Sequence, residues 1–550
     1  MGLMTMRSSG GRWKGALAVA LICCLSLGLF ALPQSAAAEK DYKHYTVKYM
    51  TIEGAEGIQL PAHVYVPVGE VPEGGFPAIV FIHSWCLNEF EYETKMQEFA
   101  KNGYITICYT CRGWYYAPGR NDVAGPLELK DLNNVVDWLI ENTPVDENNI
   151  GSTGISYGGG HSLLALQFEP RIKTIVPMSG WTDLYDALAP YHTAKLGWSA
   201  FLLATGSTIA KPTSTMTDWL VSFLTDTKTD ETLATLAERS AFTFIDEINA
   251  RDPIPPMFMI QGINDDMFNS RQMVNFYEAY QGEKKLIMAN GVHGSAEIPG
   301  LLYLPNSLWK DTRDWFDYHL KGIDNGIMDQ KPVSIYQGWD KKQGLFNQWP
   351  VATGSYTLYP AEVVQNGKVS KRGSLNESAV AEEQTTTLKN TPLSMSATSG
   401  MFFLMPALRS YLDVYIKGTD PMNFGKGSVA FESDKLTEDL TVLGTPRITL
   451  QTRTDKDIYQ LNFFIYEVDK LGIARMVIHQ SFSGWKSVPD ALNNPEIQLN
   501  ILSHKFKKGN KIRLVITTSD IVYALPALKN FSADLYWGGN TDTKLELPTI

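Results

Sequence analysis

Between residues 45 and 321 the apolar positions switch repeatedly between two periods. The run 77–83 (P-A-I-V-F-I-H) is almost continuously apolar, as strands buried on both faces are, and 172–178 reads as another strand. Between such runs, 127–141 places Leu132, Val135, Val136 and Leu139 three and four apart, the stripe of a helix lying on a sheet. Further strands are predicted at 104–109, 150–155, 257–261 and 285–289, and helices at 92–101, 271–280 and 307–320. This alternation is the signature of a parallel sheet covered on both faces. Segments 45–51 and 59–67 alternate apolar with polar instead, which predicts an antiparallel edge. From about 183 to 243 the pattern breaks into Leu-, Ala-, Trp- and Thr-rich helical patches, predicting a helical cap inserted over the strand ends.

Past Gly322 the text changes character. A polar linker at 324–330 is followed by short alternating runs separated by turns, at 333–336, 355–358, 447–452, 459–467, 474–481, 511–517 and 533–537. Short strands without helices predict an all-β sandwich over 331–550. Residues 370–400 are polar and rich in Thr and Ser, and read as a long surface loop.

One stretch organises the first domain. A short apolar strand ending at Ile155 meets an apolar helix carrying Leu163, Leu164 and Leu166, and between them stands Gly154-Ile155-Ser156-Tyr157-Gly158. This is the G-x-S-x-G elbow, in which a strand turning sharply into a helix forces the central residue into strained geometry and leaves room only for small neighbours. A serine hydroxyl is a poor nucleophile at neutral pH without a base, and the base needs an orienting acid. In an α/β-hydrolase fold these follow in the order Ser, acid, His, each just past the end of a strand. Asp265 follows the strand 257–261 and His293 follows 285–289, so Ser156, Asp265 and His293 are the candidate catalytic residues. Asp266 competes with Asp265 for the acid role. His161, on the elbow helix, is expected to pack or line the pocket, and His83 to fix the oxyanion loop.

The oxyanion hole is expected from the backbone N–H of Tyr157 and one from the loop after His83, at Ser84 or Trp85. Aromatic residues cluster on the same predicted rim, and Trp114, Tyr115 and Trp181 are the candidate substrate-pocket residues, with Trp85 and Tyr116 beside them.

Composition adds limits. The first residues carry Arg7, Arg12 and Lys14, an apolar run at 16–32 and Ala36-Ala37-Ala38, which reads as a signal peptide over 1–38. The expected location is secreted or periplasmic, with a retained anchor as the alternative. Net charge is −11, and three units more negative without the leader's cations, which argues against nucleic acid or an anionic membrane surface as partner. After processing, Cys86, Cys108 and Cys111 remain, too few for a disulfide scaffold. Buried thiols are expected, with a disulfide through Cys86 left open. The nine histidines form no H-E-x-x-H or Cys/His cluster, so neither a metal nor another cofactor is expected.

Several stretches together resemble the Xaa-Pro dipeptidyl-peptidase/cocaine-esterase-like (CocE/NonD, S15-type) hydrolases: G-I-S-Y-G-G at 154–159, R-I-K-T-I-V-P-M-S-G-W at 171–181, C-R-G-W at 111–114, R-D-P-I-P-P-M-F-M-I-Q-G at 251–262 and W-F-D-Y-H-L-K-G-I-D-N-G at 315–326. In the tail, V-A-F-E-S-D-K-L-T-E-D-L-T-V-L-G at 429–444 is similar to the opening of that family's C-terminal jelly roll. The resemblance implies an α/β-hydrolase domain over 39–325 with a helical cap at 183–243, a jelly roll, and a triad on Ser156, Asp265 and His293. It departs at the oxyanion loop. Cocaine-esterase-type and amino-ester-hydrolase-type members carry a tyrosine in a T-P-Y-like stretch there, whereas this chain reads Ile82-His83-Ser84-Trp85.

The function expected is a secreted serine hydrolase, an acyl esterase first and an Xaa-Pro dipeptidyl-peptidase as the alternative. A second alternative is a glycan- or polymer-binding protein with a vestigial hydrolase site. Its partner would be a small ester, amide or short peptide, and a homo-oligomer is left open.

Overall fold

The computed structural model describes residues 38–366, 370–390, 399–400, 403–418, 427–520 and 530–550. The expected leader lies outside the described residues apart from Ala38, which opens the first strand. In chain order the first domain runs β1 (Ala38–Asp41), β2 (Tyr45–Glu53), β3 (Gln59–Pro67), β4 (Phe76–Ile82), α1 (Glu93–Lys101), β5 (Ile105–Tyr109), α2 (Pro126–Asn142), β6 (Val145–Ile155), α3 (Tyr157–Phe168) and β7 (Ile172–Met178). The insertion follows as α4 (Leu184–Leu188), α5 (Leu196–Ile209), α6 (Thr215–Thr225), α7 (Thr229–Ala237) and α8 (Ile245–Asn249). Then come β8 (Met257–Gly262), α9 (Ser270–Ala279), β9 (Lys284–Ala289), α10 (Ile298–Leu301), α11 (Ser307–Lys321), β10 (Val333–Gln337) and β11 (Lys342–Phe346).

These strands form one eleven-stranded sheet in the order β1-β2-β3-β5-β4-β6-β7-β8-β9-β10-β11. β5, β4, β6, β7, β8, β9 and β10 are parallel, while β2–β3 is the expected antiparallel edge. Crossover helices bury both faces, which is why β4 is apolar throughout and every residue of β7 but Lys173 is buried. Helix α11 illustrates the local logic. Asn306 caps it by accepting from the N–H groups of Leu308 and Trp309, and Gly322 ends it in the left-handed region. Between these stops Leu308, Trp309, Thr312, Trp315, Phe316 and Leu320 form the buried stripe against the sheet.

Two expectations at the domain junction need correction. The run at 333–336 is not part of the sandwich, because β10 pairs in parallel with β9 and extends the hydrolase sheet. The polar linker is also anchored: Lys285 Nζ donates to the carbonyls of Ile327 and Gln330, and Ile327 is buried.

The second domain is β-rich. Among the described residues its main sheet has twelve strands, and the end strand Leu502–Phe506 comes back beside Ala474–Gly484 near the other end, so the sheet nearly closes on itself. A smaller sheet of four strands joins Gln384–Lys389, Ser532–Trp537, Gln451–Thr454 and Leu492–Asn493. The stretch at 370–400 is therefore not simply a loop. Ser370–Asn376 and Gln384–Lys389 are paired strands, and the threonines that looked like loop composition are β-branched residues alternating across a sheet. Residues 391–398 lie outside the described set. A helix, α12 (Leu404–Leu412), leaves the β-domain between those strands and Ser428–Ser433 and reaches the first domain. Among the described residues no helix is long and apolar enough to cross a membrane.

The elbow glycines set how closely α3 lies against the sheet. A Cβ on Gly158 would run into the Ile82 carbonyl of β4, and one on Gly160 would stand 2.5 Å from the Trp181 ring. Because the obstacle at Gly158 is backbone, Gly158→Ala is expected to cost about 3 kcal/mol of stability, the upper end for overpacking a core. Urea denaturation would check this.

Candidate active site

Ser156 sits between β6 and α3 with φ 59° and ψ −113°, a positive-φ conformation strained for a residue with a side chain. Two backbone bonds hold it there: Ser156 N–H donates to Met178 O at 2.9 Å, and its carbonyl accepts from Gly160 N–H at 3.0 Å. The geometry lifts the hydroxyl to the end of the sheet and leaves Tyr157 as the first residue of α3, at the positive end of the helix dipole.

His293, in the turn after β9, places Nε2 2.7 Å from Ser156 Oγ and Nδ1 2.8 Å from Asp265 Oδ2. A carboxylate can only accept, so Nδ1 carries the proton and Nε2 is left to receive that of the serine. Asp265 is fully engaged. Its Oδ2 also accepts from Gln261 Nε2 at 2.7 Å, and Oδ1 accepts the N–H groups of Met267 and Phe268 at 2.9 and 3.0 Å. The rival Asp266 points elsewhere, accepting the Phe403 N–H at 3.1 Å. Burial lifts Asp266 to about 6. For His293, burial pulls the imidazole pKa down, but the charge and hydrogen bond of Asp265 outweigh it, with smaller help from Glu297 and Asp266. The net shift is upward.

Two of the three oxyanion positions are available. Among the described residues neither the Tyr157 N–H nor the Trp85 N–H has an acceptor. Ser84 must be removed from the set: its N–H donates to Glu91 Oε2 at 2.5 Å. Its hydroxyl lies 2.7 Å from Glu91 Oε1 and 3.0 Å from the Ile155 carbonyl, tying the loop to the residue before Ser156. One hydroxyl proton cannot serve both acceptors, but a protonated Glu91 donates and satisfies the chain. Burial pushes Glu91 up to about 7. His83 fixes the same loop. Its Nε2 accepts from Cys111 N–H at 3.0 Å, so Nδ1 carries the proton and donates to Ser84 O at 2.8 Å. His161 packs edge-on against the Tyr157 ring at 4.4 Å, fully buried.

Of the candidate pocket aromatics, Trp114 and Trp181 are buried to 0% and 2% exposure and pack around Tyr157. Tyr115 is half-buried and donates to the Cys86 carbonyl at 2.6 Å. The rings beside the imidazole are two that sequence reasoning missed, Phe268 at 4.9 Å and the lid residue Trp198 at 6.2 Å. Phe268 lies three residues past Asp265, a position that could have been read from the loop. Trp198 is a cap residue with no local signature.

Further unforeseen groups support the loops. Lys195, buried at the start of α5, donates to the carbonyls of Asp266 and Met267, both at 2.9 Å, and burial lowers it to about 8. Glu297 is fully buried beneath the His293 turn, accepts from Ser179 Oγ at 2.8 Å, and has no partner on Oε2 among the described residues. Ser179 Oγ in turn accepts the Gly294 N–H at 3.2 Å. Cys86, Cys108 and Cys111 are all buried, unpaired thiols.

Residues 56–295 match the profile of the X-Pro dipeptidyl-peptidase S15 family, and 325–536 match the X-Pro dipeptidyl-peptidase C-terminal non-catalytic domain. The chain belongs to the S15/CocE/NonD family of serine hydrolases. It is 22% identical over 468 residues to a Bacillus anthracis protein provisionally named an Xaa-Pro dipeptidyl-peptidase, covering 78% of this chain and 71% of that one. Its fold is similar to that of a CocE/NonD family hydrolase from Staphylococcus aureus, with TM-score 0.68, 16% identity and coverage of 94% and 97% of the two chains. An α-amino acid ester hydrolase is equally similar, at TM-score 0.68 and 17% identity over 95% and 99%.

Burial raises Glu297 from 4.5 to about 7. Between those values the folded protein keeps a proton that the unfolded chain has released, so Glu297 lowers stability as pH rises through that window. Glu297→Gln should flatten the fall in stability over the same range, measured by urea denaturation at stepped pH.

Proposed function

We propose that this serine hydrolase is an exported acyl esterase acting through a covalent acyl-enzyme. The reading rests on one observation above all, the unbroken chain from Ser156 Oγ to His293 Nε2 at 2.7 Å and from Nδ1 to Asp265 at 2.8 Å. Ser156 Oγ attacks the ester carbonyl carbon while its proton passes to His293 Nε2. Asp265 holds the imidazolium so formed. The oxyanion lies against the N–H groups of Tyr157 and Trp85, each worth ~3 kcal/mol in the transition state. Collapse breaks the ester C–O bond, and the departing alcohol takes the proton from His293. Water then enters, gives a proton to His293, attacks the acyl carbon, and returns Ser156 with release of the acid.

Preference for an ester over a peptide's free amino terminus comes from the cap carboxylates. Asp186 is paired with Arg271, Asp183 caps α4, and Glu238 is exposed beside Arg239. None of them is left to receive an ammonium group beside the triad. The dipeptidyl-peptidase reading keeps its own support in the names of the family profile and of the Bacillus relative.

A fluorophosphonate is expected to label the wild type covalently and leave Ser156→Ala unlabelled. Short acyl esters should be turned over faster than an Ala-Pro anilide, and the reverse order would favour the peptidase. Activity requires neutral His293, whose pKa is raised, so the acid limb of kcat/KM should lie above the ordinary imidazole value. Asp265→Asn removes the upward pull and should move that limb to lower pH, with kcat falling on the order of 10³–10⁴-fold.

A further inference from the structure

Helix α12 belongs to the C-terminal domain by chain position, yet one of its turns touches the residue before Asp265 and the polypeptide on either side of His293. Ser410 Oγ accepts from Nδ2 of Asn264, the residue before Asp265, at 2.8 Å. The Ser410 carbonyl accepts from Nδ2 of Asn290, three residues before His293, at 3.2 Å. Next along the helix, Tyr411 donates its hydroxyl to Ser295 Oγ at 2.6 Å. Ser295 closes the turn that presents His293, because its hydroxyl lies 2.9 Å from both the N–H and the carbonyl of Val292. The approach is close enough that a Cβ on Gly291 would stand 2.7 Å from Ser295 Oγ and 3.1 Å from the Tyr411 hydroxyl.

These bonds matter because the loops are not backed by packed core at this point. Asn264, Asn290, Ser410 and Tyr411 line a polar cavity of about 290 Å³, shared with Tyr336, Lys341 and Asp413. Backbone bonds join the two loops to each other, Ile263 N–H to Ala289 O at 2.9 Å and Asn264 N–H to Gly291 O at 3.0 Å. Lys195 and Phe403 hold the acid loop alone and Ser179 the base loop alone, whereas the α12 turn reaches both loops across the cavity. The Asp265–His293–Ser156 chain depends on the two loops keeping one relative position, and a displacement near 1 Å costs about 10²-fold in rate.

We infer that the C-terminal domain is a working part of this site, with Ser410 and Tyr411 acting as positioning residues that clamp the acid and base loops in register. Neither touches the reacting atoms. Their effect passes through Asn264, Asn290 and Ser295 to Asp265 and His293. The inference rests on the proposed triad and goes beyond it, since the triad's own residues lie entirely in the first domain.

The test is steady-state turnover of a short p-nitrophenyl ester per active site, with sites counted by fluorophosphonate titration. Ser410→Ala and Tyr411→Phe each lose one hydrogen-bonding group and should each lower kcat about 5-fold. The double variant should lose about 10–100-fold. KM should stay within about 2-fold throughout, because uniform substrate binding is untouched. Ser410→Thr keeps the hydroxyl and should restore turnover, a rescue that a general loss of folding would not give. Wild-type kcat per titrated site in the double variant overturns the clamp while leaving the triad standing. A loss confined to the number of titratable sites also overturns it. A wild type that takes up no label removes the triad and the clamp together.

Discussion

The Asp265 carboxylate is the contact on which the rest of the site depends. Its two oxygens accept four hydrogen bonds, one from Gln261, two from the backbone of its own loop and one from His293. Three of the four come from residues within four positions in sequence, so the acid is oriented by its own loop. Because that carboxylate accepts, it fixes which nitrogen of His293 bears the proton, and so which nitrogen faces Ser156. A buried carboxylate with its acceptor sites filled also has no reason to turn, whereas one with a missing donor would carry a desolvation cost.

Around this contact the architecture closes from two sides. The cap sends in Lys195, whose ammonium holds the carbonyls of Asp266 and Met267, and Trp198, whose ring stands beside His293. The C-terminal domain sends in α12 and Phe403, the latter binding Asp266 through its N–H. The same two parts are tied to each other: Trp485 Nε1 donates to Asp226 at 2.8 Å, His192 stacks on Trp485 at 4.4 Å, and Arg271 reaches from α9 to both Asp186 of the cap and the Gln498 carbonyl. Sheet, cap and β-domain therefore meet at one loop. The protein spends a strained serine, worth about 1–3 kcal/mol, and several buried acids on this region, and the surrounding contacts hold it in place.

Much of the fold was legible because period carries direct information about burial. Apart from β6, which begins five residues before the expected 150–155, the helices and most of the parallel strands could be read within a residue or two from apolar runs and 3.6-residue stripes, and the elbow announced itself through glycines that backbone contact requires. The separation between the two domains was harder. Residues 333–336 look the same whether they join one sheet or another, since strand pairing is a property of the partner. The threonine-rich 384–389 segment reads as loop because its composition is polar, although β-branching suits a sheet exposed on one face. Within the site, Ser156, Asp265 and His293 stand at strand ends, where chain order constrains position. Glu297, Lys195 and Ser410 act through contacts made across the fold, and no local spacing betrays them. Ser84 shows the reverse failure: its position fitted an oxyanion donor, but a carboxylate seven residues on had already taken its N–H.

The most direct test is a crystal structure of the phosphonylated protein. The account predicts phosphorus bonded to Ser156 Oγ, the phosphoryl oxygen within hydrogen-bonding distance of the Tyr157 and Trp85 N–H groups, and His293 still bridged to Asp265. A phosphoryl oxygen directed away from those two amides, or a phosphonate carried by another residue, would contradict it.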